Sequence, residues 1–243
     1  TQFSRLNVEY HTTNEFRRGG NKFDLEPFET DITEQTKHVI NSGGLTYDLF
    51  WKEYKHKLSF YTSAQHVDRN SYYGAQQDPN AYGKTKDLTF VGGGMYVGNF
   101  DKVLFSPATF TAGLEYSHNN MHDIMAGYNR DLEQKVRIAS AFFQNEWKMN
   151  DFTLLAGFRL DDHNLIENLI FSPRVNLLYK PSDALQGRLT WSTGFRAPQA
   201  YDEDLHIIAV GGEGVLIHLA DGLKPEKSNS FSGSVDLSGQ IGH

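Results

Sequence analysis

The sequence lacks several features that would place it in common protein classes. It contains no cysteine, which excludes a disulfide scaffold and a cysteine-ligated metal site. No stretch approaches the ~18 consecutive apolar residues of a transmembrane helix, and the opening residues TQFSRLNVEY alternate like a strand rather than forming a signal peptide. The net charge is -7 and the basic residues are scattered, so nucleic acid is not an expected partner.

The residues that are abundant point to β-structure. Aromatic residues make up 13% of the chain, there are 22 glycines, and the hydrophobic content is 39%. Aromatic and glycine residues without many aliphatic ones suit a sheet that has one apolar face and one polar face.

Alternation with a period of two is the main structural signal. In Phe152–Leu160 every second residue is apolar, beginning with Phe152 and ending with Leu160, and Arg159 belongs to the opposite face. The same pattern predicts about ten strands, each close to the length of about ten residues that crosses a bilayer. The other predicted strands are Leu6–His11, Val39–Phe50, Lys57–His66, Leu88–Gly98, Phe110–Ser117, Val136–Met149, Arg174–Lys180, Leu185–Phe195 and Ser228–Leu237.

The connections between these strands alternate in length. Short turns are predicted at Trp51–His56, Gly98–Pro107, Met149–Asp151 and Lys180–Ala184. Longer polar connections are predicted at Arg18–Glu34, Val67–Asp87, Asn119–Gln134 and Pro198–Glu226, with a shorter one at His163–Glu167. An antiparallel up-and-down sheet has this alternation when the turns at one end are short and the loops at the other end are long. Outer-membrane barrels are built in this way, with short periplasmic turns and long extracellular loops.

A soluble β-sandwich is the competing fold. It would bury Leu154, Phe158, Leu177 and Leu189 against a second sheet, whereas a barrel would turn them toward lipid. Charged residues in the middle of the polar faces favour the barrel, because they suit a wet lumen. Aromatic residues near the strand ends also favour it, since they suit an interfacial girdle; they are Tyr47, Phe50, Trp51, Trp147, Tyr179, Trp191 and Phe195. We therefore predict an all-β fold: part of an antiparallel, up-and-down transmembrane β-barrel.

Two segments resemble a motif pair of the TonB-dependent outer-membrane receptors. They are GFRAP, formed by Gly194, Phe195, Arg196, Ala197 and Pro198, and LKPEKS, which contains Pro225 and Glu226. In that family a strand ends in a GFRAP-like sequence, a long loop follows, and the second segment opens the next strand. FRRGGNKFDL and AYDEDLH are most similar to the colicin- and ferrienterochelin-receptor-related branch of the Bacteroidetes.

The resemblance extends over residues 1–243 and implies that they are an internal part of a barrel of about 22 strands, without the plug domain and the remaining strands. It implies a receptor in the bacterial outer membrane that takes up a bulky, scarce solute. An iron–siderophore is the first expectation, and cobalamin, haem or a glycan stays open. The implied partners are a small-molecule ligand such as a metal chelate, the TonB complex acting through the plug, and outer-membrane lipid and lipopolysaccharide. A passive porin-like or adhesin barrel and a soluble sugar-binding β domain are the alternatives.

The residues suggest no enzyme and no resident cofactor. No G-x-S-x-G motif stands in a strand–turn–helix context, and Gly92–Gly94 predict a β-bulge or a close backbone approach rather than a phosphate loop. Two clusters of carboxylates with a histidine, Asp161–His163 and Asp202–His206, offer oxygen ligands for calcium. Asp202 and Asp204 are the candidate ligands, and ordinary solvated charge is the alternative.

Candidate contact residues come from the aromatic loops and the polar faces. Tyrosine offers a flat apolar ring with a polar tip, which suits recognition of a bulky solute. The candidate ligand contacts are Tyr72, Tyr73, Tyr82, His122, Tyr128 and Tyr201. Arg159, Arg174 and Arg188 are predicted to face the lumen and, by the resemblance, the plug. Arg196 is expected to pair with Asp202 or Glu203, or with lipopolysaccharide phosphates.

Overall fold

One ten-stranded antiparallel sheet forms the structure, in which each strand is hydrogen-bonded to the strands next to it in sequence. The computed structural model describes residues 3–199 and 222–239. The strands are β1 Ser4–Gly20, β2 Ile32–Trp51, β3 His56–Ala75, β4 Tyr82–Val103, β5 Ser106–Met125, β6 Arg130–Met149, β7 Phe152–His163, β8 Ile170–Ser182, β9 Leu185–Arg196 and β10 Glu226–Leu237. Two short 3-10 turns, Pro27–Glu29 and Ala126–Tyr128, lie in the connections.

Alternate side chains divide the sheet into an outward and an inward face. The outward face is apolar and lies open: Leu114 is 67% exposed and Leu189 is 62% exposed. No second sheet covers it within the described residues, so Phe158 and Leu189 are not buried as a sandwich would require. The predicted up-and-down barrel segment is confirmed, and the soluble sandwich is wrong. Within the described part no helix has the length and apolarity needed to cross a membrane.

The strands are longer than the sequence predicted. β2, β3, β5 and β6 each span 20 residues, so most of the predicted loops Val67–Asp87 and Asn119–Gln134 is strand. The ladder continues past the apolar stretch of each strand because backbone pairing does not depend on apolar side chains. The turn predicted at Gly98–Pro107 contains fewer residues than expected, because β4 extends to Val103 and β5 begins at Ser106.

Connections at the two ends of the sheet differ as expected. At one end, called here the short-turn end, the turns lie at 52–55, 104–105, 150–151 and 183–184. At the other, the long-loop end, the described connections are 21–31, 76–81, 126–129 and 164–169, and β9 and β10 are also joined at this end. Strand order and connection lengths therefore agree with a barrel wall that is trimmed at one end and elaborated at the other.

Gly92, Gly93 and Gly94 lie in regular pairing with β3 and β5, so the predicted bulge is absent there. A Cβ on Gly93 would lie 2.6 Å from Tyr61 Oη and 2.7 Å from the Leu114 carbonyl oxygen. The glycine is needed because the Tyr61 side chain crosses the sheet directly above it.

Aromatic side chains gather on the outward face near the short-turn end. The rings of Trp51 and Tyr96 both stack with His56, at centroid distances of 5.5 and 6.0 Å. Phe152 stacks on Tyr179 at 4.6 Å. Rings at this end of the apolar face lie where an interfacial girdle would lie. Phe50, which the sequence analysis included among the girdle residues, instead belongs to the inward face opposite Lys57.

Candidate functional site

The inward face forms a concave trough toward the long-loop end, with a volume of about 1090 Å³. The halves of β1 to β6 nearer the long-loop end supply most of its walls, because alternate residues of each strand point to the inward side. Four arginines, four carboxylates and a histidine line it: Arg17, Arg18, Arg69, Arg130, Glu15, Glu34, Asp87, Asp123 and His38. Among its neutral lining residues are Gln65, Ser71, Tyr73, Asn119, Met121, Met125, Gln134 and Gln199.

Asp123 is the centre of the charged wall of the trough. Arg130 lies 2.8 Å from one carboxylate oxygen, and Arg69 lies 3.7 Å from the other. Thr85 donates to the same carboxylate, while the Arg69 guanidinium donates to the Thr85 hydroxyl at 2.8 and 3.1 Å. Asp123 is 3% exposed and Arg130 is 5% exposed. Buried charges persist only with partners of this quality, so this corner of the wall is rigid and its donors are fixed in place.

A second polar group lies beside it. Asn119 donates to Asp87 at 2.5 Å and to Thr89 at 2.9 Å. Met121 and Met125 are buried among these polar residues and supply apolar surface to the trough. The trough therefore offers oxygen acceptors, guanidinium donors and thioether surface side by side.

Tyr72 and Tyr73, two neighbouring candidate tyrosines, lie on opposite faces of the sheet. Tyr73 points inward and lines the trough. Tyr72 and Tyr82 are cross-strand neighbours on the opposite face, with ring centroids 4.9 Å apart. Tyr72 is 1% exposed and donates its hydroxyl to the Asp78 carbonyl oxygen at 2.9 Å. Burial raises the pKa of the Tyr72 hydroxyl.

Tyr128 joins the tips of two neighbouring hairpins. Its hydroxyl donates to the carboxylate of Asp78, which also accepts from the Asn80 backbone N–H at 2.8 Å. Burial, and secondarily the Asp78 carboxylate, raises the pKa of Tyr128 to about 12, while the Tyr128 hydrogen bond lowers the pKa of Asp78. A Cβ on Gly127 would clash with the Asn80 carbonyl oxygen, so the two tips are in close contact. We call Tyr72, Asp78, Asn80 and Tyr128 the tip latch.

His122 and the calcium candidates are separate from the trough. His122 points outward and its Nε2 lies 2.6 Å from Asp131, with both side chains exposed. Tyr201, Asp202 and Asp204 lie outside the described residues, as does Glu203. Within residues 3–199 and 222–239, no three His, Asp or Glu side chains are arranged to hold a metal ion.

Arg159, Arg174 and Arg188 all belong to the inward face, as their pairing registers require. Arg159 is held by its neighbours, at 2.8 Å from Glu115, 2.7 Å from Asp161 and 2.6 Å from Ser140. Glu115 also accepts from Tyr61 at 2.7 Å. We call these five residues, Tyr61, Glu115, Ser140, Arg159 and Asp161, the wall network.

Arg174 and Arg188 differ from Arg159. Neither forms an ion pair or side-chain hydrogen bond with another residue of the described ranges. The hydrogen bond from Asn176 to Thr190, at 2.5 Å, lies between them on the same face. Arg159 therefore connects neighbouring strands, whereas Arg174 and Arg188 expose their guanidinium groups to the lumen.

The two motif segments meet across the β9–β10 pair. Glu226 is the cross-strand partner of Arg196, and Ser228 is the partner of Gly194. Ala197 is buried. Phe195 contacts the ring of His163 edge-on, with centroids 6.3 Å apart. The ladder ends where Pro198, which has no N–H, follows.

Sequence reasoning did not find Asp123, Arg69 and Arg130, because their segments were interpreted as loops. Extending the period-two pattern beyond the apolar stretch would have put Arg69, Thr85 and Asp123 on one face. No local signal could have found Asp78, because its partner Tyr128 is distant in sequence.

Comparison with known proteins was made on both sequence and structure. The family model described as "TonB dependent receptor-like, beta-barrel" matches residues 2–242. No protein of curated function matches the sequence. Among solved structures, the siderophore receptor PirA of Pseudomonas aeruginosa superposes with a TM-score of 0.69 at 16% identity, covering 86% of this chain and 39% of that receptor.

Two further receptors are equally similar in fold. PirA of Acinetobacter baumannii has a TM-score of 0.68 at 15% identity, with 98% of this chain and 42% of that one covered. The alcaligin outer-membrane receptor FauA of Bordetella pertussis has a TM-score of 0.68 at 12% identity, with 97% and 38% covered. The chain thus spans about two-fifths of the length of these structures.

Proposed function

Because the chain belongs to the TonB-dependent receptor β-barrel family, we propose that it forms part of the wall of a receptor that imports an iron–siderophore complex. The family resides in the bacterial outer membrane, and so does this protein. Its members are transport receptors rather than enzymes. The short-turn end is then periplasmic, and the trough opens toward the extracellular side.

The trough carries this proposal. Its positive and negative side chains are equal in number, so bulk charge attraction is a weak source of affinity there. Hydrogen-bond donors held in fixed positions are a stronger source of affinity. Asp123 orients the guanidinium groups of Arg69 and Arg130, and the planar N–H groups of arginine match the geometry of oxygen ligands. Tyr73 and Met121 add apolar surface for the organic part of a chelate.

The remaining candidate tyrosines have a supporting role in this proposal. Tyr72, Tyr82 and Tyr128 stabilise the hairpin tips above the trough through Asp78 and through one another. They shape the entrance to the site, whereas Tyr73 contacts the ligand. Tyr201 and a calcium ion at Asp202 and Asp204 stay predictions, as does the Bacteroidetes branch.

The lower lumen is proposed as the plug-facing part of the wall. Arg174 and Arg188 present positive charge there, while Arg159 is engaged by Glu115 and Asp161. We expect carboxylates of the plug to contact the first two. Energy from the TonB complex would then reach the site through displacement of the plug.

Growth and binding measurements on the whole receptor test the uptake proposal. A strain that depends on this receptor should grow on a ferric siderophore as its iron source, and Tyr73→Ala with Arg69→Gln should weaken binding of that chelate to the purified receptor. Tyr47→Ala on the outward face is the control for general damage. If growth depends on the receptor only when cobalamin, haem or an oligosaccharide is supplied, that solute and not a siderophore is the ligand.

The passive porin remains the alternative. The gene on either side of these 243 residues distinguishes it, because an energy-coupled receptor needs a plug domain upstream and further strands downstream. A gene without a plug would contradict coupled import, whatever the trough binds.

A further inference from the structure

Asp87 lies low in the trough and keeps part of its hydrogen-bonding capacity. It is the cross-strand partner of Val67 on β3 and of Met121 on β5, and all three residues line the trough. One oxygen of its half-buried carboxylate accepts from Asn119 at 2.5 Å, and the other accepts from Thr89 at 3.4 Å. A carboxylate has about four acceptor positions, so Asp87 can accept further hydrogen bonds from a ligand.

Asp87 also differs from the neighbouring carboxylate of the trough in its counter-charge. Asp123 lies 2.8 Å from Arg130 and 3.7 Å from Arg69. Asp87 forms no ion pair with any residue of the ranges 3–199 and 222–239. His66 acts on it from the outward face of β3, and only when that histidine is protonated. A half-buried carboxylate without a counter-charge costs free energy, so a cation brought by the ligand would be stabilised beside Asp87.

The trough as a whole has no surplus of positive charge. Three of its four arginines contact a carboxylate: Arg17 contacts Glu15, and Arg69 and Arg130 contact Asp123. Arg18, the fourth, lies at the upper edge and donates to the Leu25 carbonyl oxygen at 2.6 Å. Because the lining carboxylates equal the arginines in number, a ligand with several negative charges would meet no excess of cations. It would also be repelled by Asp87.

The order of groups along the trough identifies a class of chelate. Thr85, which accepts from Arg69, precedes Asp87 by two residues on the same face of β4, a separation of roughly 7 Å. Val67 and Met121 flank the carboxylate with apolar surface. The complementary ligand has oxygen atoms for the arginine donors, a short methylene chain and a protonated amine. Three singly charged hydroxamates cancel the charge of ferric iron, whereas three doubly charged catecholates leave a complex with three negative charges.

We propose that the trough binds a ferric chelate of the hydroxamate type that carries a protonated amine, and that Asp87 pairs with this amine. Arg69 and Arg130 donate to the oxygen atoms around the iron, while Val67 and Met121 contact the methylene chain that leads to the amine. A charge-assisted hydrogen bond to Asp87 is gained only by a ligand with the amine, so this residue determines specificity. The inference rests on the iron–siderophore function proposed above and names the chemical class of that siderophore.

Binding of two matched chelates to the purified full-length receptor tests the proposal. The ferric complex of desferrioxamine B has a free amine, and its N-acetyl derivative has the same iron centre and chain without that charge. The native receptor should bind the amine form about tenfold or more tightly. Asp87→Asn should abolish this preference and leave binding of the acetyl form nearly unchanged, which also verifies that the variant is folded. Glu146→Gln, on the inward face near the short-turn end, is the control and should keep the preference.

A third probe, ferric enterobactin, separates failure of this inference from failure of the proposed function. Tighter binding of this tris-catecholate than of the amine-bearing hydroxamate would overturn the inference and leave siderophore import in place. Equal affinity of the native receptor for the amine and acetyl forms, or an unchanged preference in Asp87→Asn, would also overturn it. A receptor that binds none of the three ferric chelates would overturn the proposed function and the inference together.

Discussion

Arg159 of β7 and Glu115 of β5 are joined by an ion pair of 2.8 Å, although strand β6 lies between them. Ser140 of β6 bridges the gap, because it accepts from Arg159 and donates to Asp161. On the far side, Tyr61 reaches Glu115 across the side-chain-free Gly93. The wall network thus couples β3, β5, β6 and β7 on the lumen side.

Arg159→Gln and Glu115→Gln should each lower the thermal stability of the receptor in detergent. Arg159→Gln leaves Glu115 without its counter-charge, and Glu115→Gln removes one of the two carboxylates that hold Arg159. We expect each change to lower the free energy of unfolding by about 1–3 kcal/mol. The double variant should lose less than the sum of the two single losses, because the two residues share one interaction. Lys102→Gln is the control, because Lys102 is exposed at the short-turn end and forms no ion pair within the described residues, and it should leave the melting temperature nearly unchanged. Additive losses in the double variant would mean that Arg159 and Glu115 act separately.

Gly93→Val should destabilise the wall by a different route. Its first side-chain carbon would lie 2.7 Å from the Leu114 carbonyl oxygen, which is backbone and cannot move aside, and would displace the Tyr61 ring. Overpacking of this kind costs about 1–3 kcal/mol. At Gly187, where an added Cβ meets nothing within 4 Å, Gly187→Ala is the control. Equal melting temperatures for the two variants would contradict the close approach of Tyr61.

Leu114→Arg tests the direction of the outward face. An arginine at the middle of the apolar band costs roughly 2–4 kcal/mol in outer-membrane barrels, so we expect less folded receptor in the outer membrane. Gln144→Arg on the inward face of the adjacent strand β6 should be tolerated, because that face is wet. The amount of heat-modifiable receptor in outer-membrane fractions measures both, and the opposite order would reverse the assignment of the faces.

Tyr128→Phe should loosen the tip latch. It removes the hydroxyl that donates to the Asp78 carboxylate, so amide hydrogen exchange at 76–81 and 126–129 should become faster while the membrane-spanning strands keep their protection. Tyr47→Phe is the control. Unchanged exchange at both tips would mean that the hairpins hold their positions without this bond.

The tip latch should also depend on pH at both extremes. The folded pKa of Asp78 is depressed below its ordinary 3.8, so its contribution is present above that value and is lost as the pH falls through the folded pKa. The folded pKa of Tyr128 is raised to about 12, so its contribution is present below 10.0 and is lost as the pH rises toward about 12. The ultraviolet difference titration of native receptor against Tyr128→Phe should place one tyrosine near 12, and Asp78→Asn should lower it.

Alternation in the sequence determined the all-β class, the two faces and the order of short and long connections. These properties follow from neighbouring residues: in an extended strand each residue faces opposite to the next, so the pattern of apolar and polar residues can be read locally. For the same reason the registers place Arg159, Arg174 and Arg188 on one polar face, while their contact with a plug stays a prediction. The ends of the strands were not predicted correctly, because backbone pairing continues where the apolar pattern stops.

Only the tertiary structure decided which inward residues meet. Register across the sheet brings Asp123 to Arg69, which lies two strands away, and to Arg130 of the next strand. It also carries Arg159 past β6 to Glu115, and it sets Tyr128 against Asp78. It also gave Tyr72 and Tyr73, neighbours in sequence, different roles: one is buried at the latch and the other lines the trough. Such pairings depend on the tilt and register of the whole sheet, which no single segment of sequence encodes.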